Sequence, residues 1–311
     1  MTEEPAVCRL CGGGPILNLG VIPDSDYFAG RILPRAIPGG RLWKCTACES
    51  MFRHPILAAS AYLELYSQGI AQAWSSDGGR RDLQIVRDLI AQQDSCGRVL
   101  DVGCGSGGFL LTLPASLQKF GIEPSVAAGS IAAGTGISIL GRTLRDLPPR
   151  SRFDVVTIID VIEHVADPEA LLDEILPHLA PAGCLIVSTG DPGNALWRRI
   201  FRARFWYSCF PEHISFPSTQ FFRGWQQSRD LQPAVIVRTR YRKLPAWRTA
   251  LAFLAQAGYL LSPALIDFAG RTLQWLCRAP HPHRRFFSAG GLGVFTDHQI
   301  VLIRTIQSPA S

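Results

Sequence analysis

From Arg98 onward the chain alternates short β-branched runs with stretches whose apolar residues recur every three or four positions. The runs are Val99-Leu-Asp-Val, Phe120-Gly-Ile-Glu, Ile137-Ser-Ile-Leu, Phe153-Asp-Val-Val-Thr-Ile-Ile and Cys184-Leu-Ile-Val-Ser. Strands covered on both faces read as near-continuous apolar runs, and parallel strands need a helical crossover between them. The pattern therefore predicts a doubly wound α/β fold, a parallel sheet with helices on both faces. Two later runs, Ala234-Val-Ile-Val-Arg-Thr-Arg and Gln299-Ile-Val-Leu-Ile-Arg-Thr, complete a mostly parallel seven-stranded sheet as an antiparallel edge pair, with a helical insertion over about 243–290 between them.

Upstream, Ala58-Ala-Ser-Ala-Tyr-Leu-Glu-Leu-Tyr and Arg81-Asp-Leu-Gln-Ile-Val-Arg-Asp-Leu-Ile carry apolar residues at helical spacing. Two helices capping the sheet are expected over 58–95. Residues 1–57 show little periodicity and are rich in Gly, Pro and Cys, the composition of a loop-dominated module that needs a metal to stay folded. The α/β domain then spans 96–311. Within its insertion, the apolar stretch from Thr249 to Gly270 nears the length of a membrane span, but Gln256, Ser262, Pro263 and Asp267 interrupt it. A pair of buried or substrate-capping helices broken at Ser262-Pro263 is expected, with an interfacial membrane contact as the alternative.

At 311 residues and 47% hydrophobic positions the chain can bury a large core. Met1 to Val7 is polar and carries Glu3 and Glu4, so no secretory signal is expected and the cytoplasm is the expected compartment. Nine cysteines, four of them in two Cys-x-x-Cys pairs, fit reduced thiols and a metal better than a disulfide framework. The net charge of +6 is almost entirely arginine, since Lys44, Lys119 and Lys243 are the only lysines. Such an excess suits an anionic partner: a phosphorylated or lipid-linked small molecule, or a membrane surface. No recognition-helix pattern or aromatic-basic platform supports nucleic acid. Arg198, Arg199, Arg202 and Arg204, at about helical spacing, form either a solvated face or a phosphate or lipid-headgroup site.

The strongest chemical signal is Val99-Leu-Asp-Val-Gly-Cys-Gly-Ser-Gly-Gly-Phe, a strand running into a glycine-rich turn and a helix. Gly103, Gly105 and Gly107 let the backbone turn sharply and let a ligand approach. The run also satisfies the dinucleotide pattern through Gly103, Gly105 and Gly108, so a NAD-dependent oxidoreductase is one reading. Asp101 weighs against it, because a carboxylate there repels a pyrophosphate but attracts or orients a cationic amine. Glu123, twenty residues after Gly103, can accept both hydroxyls of a ribose. Acid, glycine turn and acid together suit S-adenosylmethionine.

With these residues the sequence resembles the class I S-adenosylmethionine-dependent methyltransferases, which have a Rossmann-like fold, over roughly 96–240. Phe153-Asp-Val-Val-Thr-Ile-Ile-Asp-Val-Ile-Glu-His-Val-Ala-Asp-Pro is similar to that family's fourth strand and following turn, and Leu179-Ala-Pro-Ala-Gly-Cys-Leu-Ile-Val-Ser to the start of its fifth. The resemblance implies cofactor contacts from Asp101, Gly103, Cys104, Gly105, Gly107, Glu123, Asp160 and Val161. Asp146, in Leu144-Arg-Asp-Leu-Pro, is either a partner of the adenine amine or a surface loop acid.

Cys8-x-x-Cys11 and Cys45-x-x-Cys48 offer four thiolates at the spacing of a zinc ribbon, and four sulfur ligands leave no open position, so the metal is expected to be structural. Cys8-Arg-Leu-Cys-Gly, Leu19-Gly-Val-Ile-Pro and Cys45-Thr-Ala-Cys resemble the zinc-binding module of bacterial sugar C-methyltransferases. In those relatives a Glu-His pair like that in Trp206-Tyr-Ser-Cys-Phe-Pro-Glu-His-Ile-Ser-Phe lies at the mouth of the active site. The resemblance implies His213 as general base, Glu212 orienting it or binding substrate, and Tyr207 as a third candidate; a structural Glu-His pair that pins the loop is the competing reading. Glu163-His164 follows the fourth strand and either lines the same cleft or orders its turn. The expected function is methyl transfer to a small molecule, with a sugar, a glycan or a lipid-linked intermediate as acceptor. A non-catalytic assembly protein that keeps the fold is the rival from another class.

Overall fold

The computed structural model describes residues 5–69, 80–93, 96–241, 245–262, 265, 268 and 296–306. The first segment is more regular than its composition predicts. Ile16–Val21 (β1), Ser25–Phe28 (β2), Arg31–Ile37 (β3), Arg41–Cys45 (β4) and Met51–His54 (β5) are all strands. Leu42, Trp43, Met51 and Phe52 are buried on β4 and β5, so the paired strands cover apolar surface that a loop-dominated module would leave in water. The two expected helices follow at Ala59–Ser67 (α1) and Arg81–Ala91 (α2). Leu83, Val86 and Ile90 form the buried stripe of α2, at the i, i+3, i+7 spacing of an amphipathic helix.

The α/β domain begins with Arg98–Val102 (β6), then Gly108–Leu111 (α3), Gln118–Ile122 (β7), Val126–Gly134 (α4), Ser138–Gly141 (β8), Phe153–Ile159 (β9), Pro168–Ile175 (α5) and Leu179–Gly190 (β10). Trp206–Cys209 (α6), Ser215–Phe216 (β11), Thr219–Gln227 (α7), Val235–Thr239 (β12), Ala246–Leu261 (α8) and His298–Arg304 (β13) complete the elements. Seven strands form one sheet in the order β12-β13-β10-β9-β6-β7-β8, the doubly wound arrangement expected. Alternate residues of each strand enter opposite cores: Val99, Val155 and Ile186 meet α2, while Leu100, Val156 and Leu185 join Leu172, Ile175 and Phe222 from α5 and α7. The expected antiparallel edge pair is there: β12 is the edge strand and β13 pairs antiparallel with it on one side and with β10 on the other, so its all-apolar core Ile300–Ile303 is buried.

Between β10 and α7 the chain leaves this sheet. Its two-residue strand β11 pairs antiparallel with β5, so the first module's sheet runs β1-β4-β5-β11 and draws its last strand from the α/β domain. Trp197, Phe205 and Phe216 pack with Leu19, Leu42 and Met51 in one cluster. Two arginines fasten the seam: Arg53 is fully buried and donates to the Ser208 and Phe210 carbonyls, and Arg9 donates to the Ile214 carbonyl and the Ser215 hydroxyl. A division at residue 57 thus cuts through a continuous sheet and core.

The expected arginine face on one helix does not form. Trp197–Phe201 is a π-turn and Arg202–Arg204 a separate 3-10 turn, with Arg202 at φ +49° between them, so the four arginines do not share a stripe. Helix α8 ends at Ser262, as the Ser262-Pro263 break predicts, but the helix expected after it lies mostly outside the described residues. Among the described residues no helix is long and apolar enough to cross a membrane.

Candidate active site

The sheet order reverses between β6 and β9, so the crevice beyond their carboxyl ends is the natural ligand site. The glycine loop sits there. Gly103 has φ +76°, and a Cβ on it would lie 2.4 Å from Cγ2 of Val161, so no other residue fits. Gly105 also has a left-handed backbone, but its Cβ position has no neighbour within 4 Å; the space above the loop is open.

Glu123 is buried at the end of β7, and both its oxygens reach backbone: Oε2 accepts from the Gly105 amide at 2.8 Å and Oε1 from the Ser125 amide at 2.7 Å. It braces the loop, and each oxygen keeps a second lone pair. Asp101 accepts from the Thr157 hydroxyl at 2.7 Å. Burial, together with the charges of Glu123 and Asp160, pushes its carboxyl up to about 7 against the lowering effect of the Thr157 bond. Cys104 does not face the crevice. Its Sγ is pressed against Gly121 and its amide donates to the Ile122 carbonyl, so it shapes the loop from beneath. Asp146 sits at the surface, and its Oδ2 accepts from the Arg142 and Thr143 amides; the carboxylate caps its own turn.

Asp160 stands at the end of β9 with φ +52°, a conformation L residues seldom adopt. Its Oδ2 pairs with Arg80 Nη1 at 2.5 Å, while its Oδ1 is buried without a partner among the described residues. Arg80 also grips Asp82 and lies 4.2 Å from the centre of the Tyr241 ring. Burial opposes its charge, yet Asp160, Tyr241 and Asp82 outweigh it and raise its pKa well above the usual value, so the guanidinium stays charged. Nothing in the sequence pattern pointed to Arg80, which precedes α2 on the far side of the glycine loop; only the fold brings it to Asp160.

Across from the loop, Glu163, His164, Tyr207 and His213 meet. The Tyr207 hydroxyl makes a short hydrogen bond to Glu163 Oε1 and accepts from the Gly190 amide at 3.1 Å; Thr189 donates to Glu163 Oε2 at 2.8 Å. Burial, with the Asp160 charge, raises the Glu163 carboxyl to about 7 despite these donors. His164 Nδ1 is 2.8 Å from the Tyr66 hydroxyl, and the His164 and His213 rings meet edge to face at 4.9 Å. Glu163, His164 and His213 each present a donor atom within 4.8 Å of the others, a set that could also hold a metal ion.

His213 Nδ1 lies 2.8 Å from the Tyr207 carbonyl oxygen. A carbonyl only accepts, so Nδ1 carries the proton and Nε2 the lone pair. Burial, then the neighbouring His164, hold the imidazole well below its ordinary pKa, which keeps that lone pair available at neutral pH. Of the two roles that the resemblance implied for Glu212, orienting this ring or binding substrate, the first is not seen. Glu212 Oε1 accepts from the Ala29 amide at 2.6 Å, which ties the loop to the first module, and Oε2 is buried without a partner among the described residues. The Glu-His pair therefore divides the two readings of the sequence, with the glutamate pinning the loop and the histidine free at Nε2.

In the first module Cys8 and Cys48 lie 3.8 Å apart sulfur to sulfur, as do Cys11 and Cys45. A tetrahedral ion with sulfur at about 2.3 Å has edges of about 3.8 Å. The four thiols fit a zinc ion, and Gly14, with φ +77° and Cys45 Sγ 3.2 Å from its Cβ position, leaves them room.

Residues 77–234 match the profile of a family described as a methyltransferase domain. The ubiquinone biosynthesis O-methyltransferase of Bradyrhizobium sp. (strain ORS 278) is 39% identical over 101 residues, 30% of this chain and 39% of that protein, and the one of Rickettsia prowazekii (strain Madrid E) is 35% identical over the same length. The match spans about two fifths of the length of these relatives. The solved structure of Haemonchus contortus phosphoethanolamine N-methyltransferase 2, with phosphomonomethylethanolamine and S-adenosylhomocysteine, is 13% identical, with a TM-score of 0.50 over 83% of this chain and 62% of that one; it supports the fold. The glycine loop, the acids at the ends of β6 and β7 and a profile match to half of the chain lead to one assignment: the chain belongs to the class I S-adenosylmethionine-dependent methyltransferases.

Proposed function

We propose that this chain transfers the methyl group of S-adenosylmethionine to a hydroxyl of a small acceptor, a sugar, glycan or lipid-linked intermediate, with His213 as general base. The observation that carries this reading is the His213 tautomer: Nδ1 is spent on the Tyr207 carbonyl, so Nε2 can take the acceptor's proton. The sulfonium needs little activation, and positioning of acceptor oxygen, methyl carbon and sulfur in line can supply ~7–11 kcal/mol of barrier reduction. Glu163 fixes Tyr207, and through its backbone carbonyl, His213. The names of the O-methyltransferase relatives support an oxygen acceptor, and the cysteine module supports a sugar-type one. The test is transfer of labelled methyl to a panel of hydroxylated sugars and lipid-linked glycans, with the new bond located by NMR; a methyl found on carbon or nitrogen would discard the hydroxyl.

In this reading Asp101 holds the methionine amine, Glu123 the ribose hydroxyls, and Asp160 and Val161 flank the reacting end. Calorimetric titration is expected to show micromolar binding of S-adenosylmethionine, lost in Glu123→Ala, and none of NADH. The pH dependence has a definite sign. With its carboxyl held near 7, Asp101 is neutral below that pH and gives a cationic amine nothing to pair with. Affinity is expected to rise between pH 6 and 8, by up to about tenfold, and Asp101→Asn to flatten the profile. An unchanged slope in the variant would remove Asp101 from the amine site.

The Cys8, Cys11, Cys45 and Cys48 cluster is assigned to structural zinc, on the sulfur spacing given above.

A further inference from the structure

Helix α8 buries one narrow face and leaves another in water. Gln256 and Tyr259 are buried, while Leu251, Leu254 and Leu261 are 57%, 64% and 84% exposed. Trp247, Leu251, Leu254 and Leu261 recur at intervals of four, three and seven residues, so they fall on one side of α8, and all four are exposed. Single exposed leucines are ordinary; a row of them along several turns marks a contact surface.

The charge around this face identifies what it meets. Phe201 touches Phe253 and Arg204 donates to the Leu260 carbonyl, so the two turns at Trp197–Arg204 flank the helix, with Arg199, Ile200 and Arg202 exposed. Over 193–211 and 231–266 the sequence carries eight arginines and one lysine and no acid. A second copy of the chain would set these cations against their own kind. Arg238 pairs with Asp191, but Arg199 and Arg202 stand exposed beside the helix, and an apolar row bordered by arginine fits an anionic lipid surface, where leucine and tryptophan enter the acyl boundary and arginine meets headgroups.

We infer that the exposed face of α8, with Arg199, Ile200 and Arg202 beside it, docks this protein on anionic membranes. The helix is also tied to the candidate site. Gln256 accepts from the Trp206 amide and donates to the Arg204 carbonyl, one residue from Tyr207, so the docking helix grips the loop that carries the proposed base. Docking would place the acceptor cleft next to the lipid, whichever acceptor it takes.

The test is co-sedimentation of the full chain with vesicles of phosphatidylcholine alone and with about a third phosphatidylglycerol. Binding is expected only to the anionic vesicles, falling with added salt, and dropping at least about tenfold in the Leu251→Ser, Leu254→Ser, Leu261→Ser triple variant. Because these side chains face solvent, the variant should keep its melting temperature and its S-adenosylmethionine affinity; Arg199→Glu is a second, milder probe that should weaken binding and its salt dependence. Absence of binding to either vesicle, binding unchanged in both variants, or a dimer in sedimentation velocity that the triple variant abolishes would each overturn the inference.

Discussion

His213→Ala is expected to lower kcat roughly 10²- to 10⁴-fold while leaving the affinity for S-adenosylmethionine within about twofold. The size follows from the role: a proton that must leave the acceptor oxygen loses the base proposed to take it. The small effect on cofactor affinity follows from the contacts, since His213 packs with His164, Tyr207 and Phe210, whereas Glu123 is held by the Gly105 and Ser125 amides. The pH profile discriminates further. Burial holds His213 well below the ordinary imidazole pKa, so the base is already neutral at pH 6.5, and with S-adenosylmethionine saturating, so that Asp101 does not enter, the acid limb of kcat/KM for the acceptor should fall below that pH and vanish in the variant. Tyr207→Phe separates base from support. It removes the hydroxyl that Glu163 and the Gly190 amide hold but keeps the carbonyl that fixes the His213 tautomer, so a smaller loss is expected. A His213→Ala enzyme with wild-type turnover and an unmoved acid limb would end the assignment.

The strands that face two cores were readable from the sequence because burial on both sides leaves an almost unbroken apolar run, as in Phe153–Ile159 and in the second half of Leu179–Gly190. The glycine loop and Glu123 were readable for a related reason: the backbone conformation at Gly103 and the packing of Val161 beneath it admit only one residue. What stayed hidden depends on contacts between distant segments. Strand β11 has two residues, too few for any periodicity, and is a strand only because Arg53, Arg9 and β5 hold it. Arg80 reads as a charge before a helix until the fold sets it against Asp160. Glu212 and His213 are adjacent in sequence and looked like one unit, yet they sit at the end of a turn that the His213 amide closes onto the Phe210 carbonyl, and their side chains part, one to Ala29 and the other to the Tyr207 carbonyl. The pairing of β13 with β12 was legible as an edge pair, but its inner neighbour was not, since an all-apolar run does not say which parallel strand it joins.

The second large effect expected is that of removing the metal. Elemental analysis should find one zinc per chain, and Cys45→Ser together with Cys48→Ser should abolish it. Structural zinc contributes on the order of 10 kcal/mol to small modules that cannot fold without it. Here the consequence reaches beyond residue 57, because β5 carries β11, Arg53 holds the carbonyls of Ser208 and Phe210, and Ala29 holds Glu212. These are the bonds that fix the loop bearing His213. Asp101, Glu123 and the glycine loop lie outside them, and although one core of the seven-stranded sheet takes Cys8, Trp43, Cys45, Cys48 and Phe52 from the first module, the other is built wholly from residues of α2 and the α/β domain. Metal loss should therefore separate two properties that a global unfolding would lose together. Amide exchange over 205–216 should rise and methyl transfer should fall with it, while S-adenosylmethionine still binds and the exchange of β6, β9 and β10 stays slow. If the zinc-free protein keeps its protection at 205–216, the module does not position the loop; if it loses cofactor binding as well, the sheet depends on the metal and the two parts fold as one.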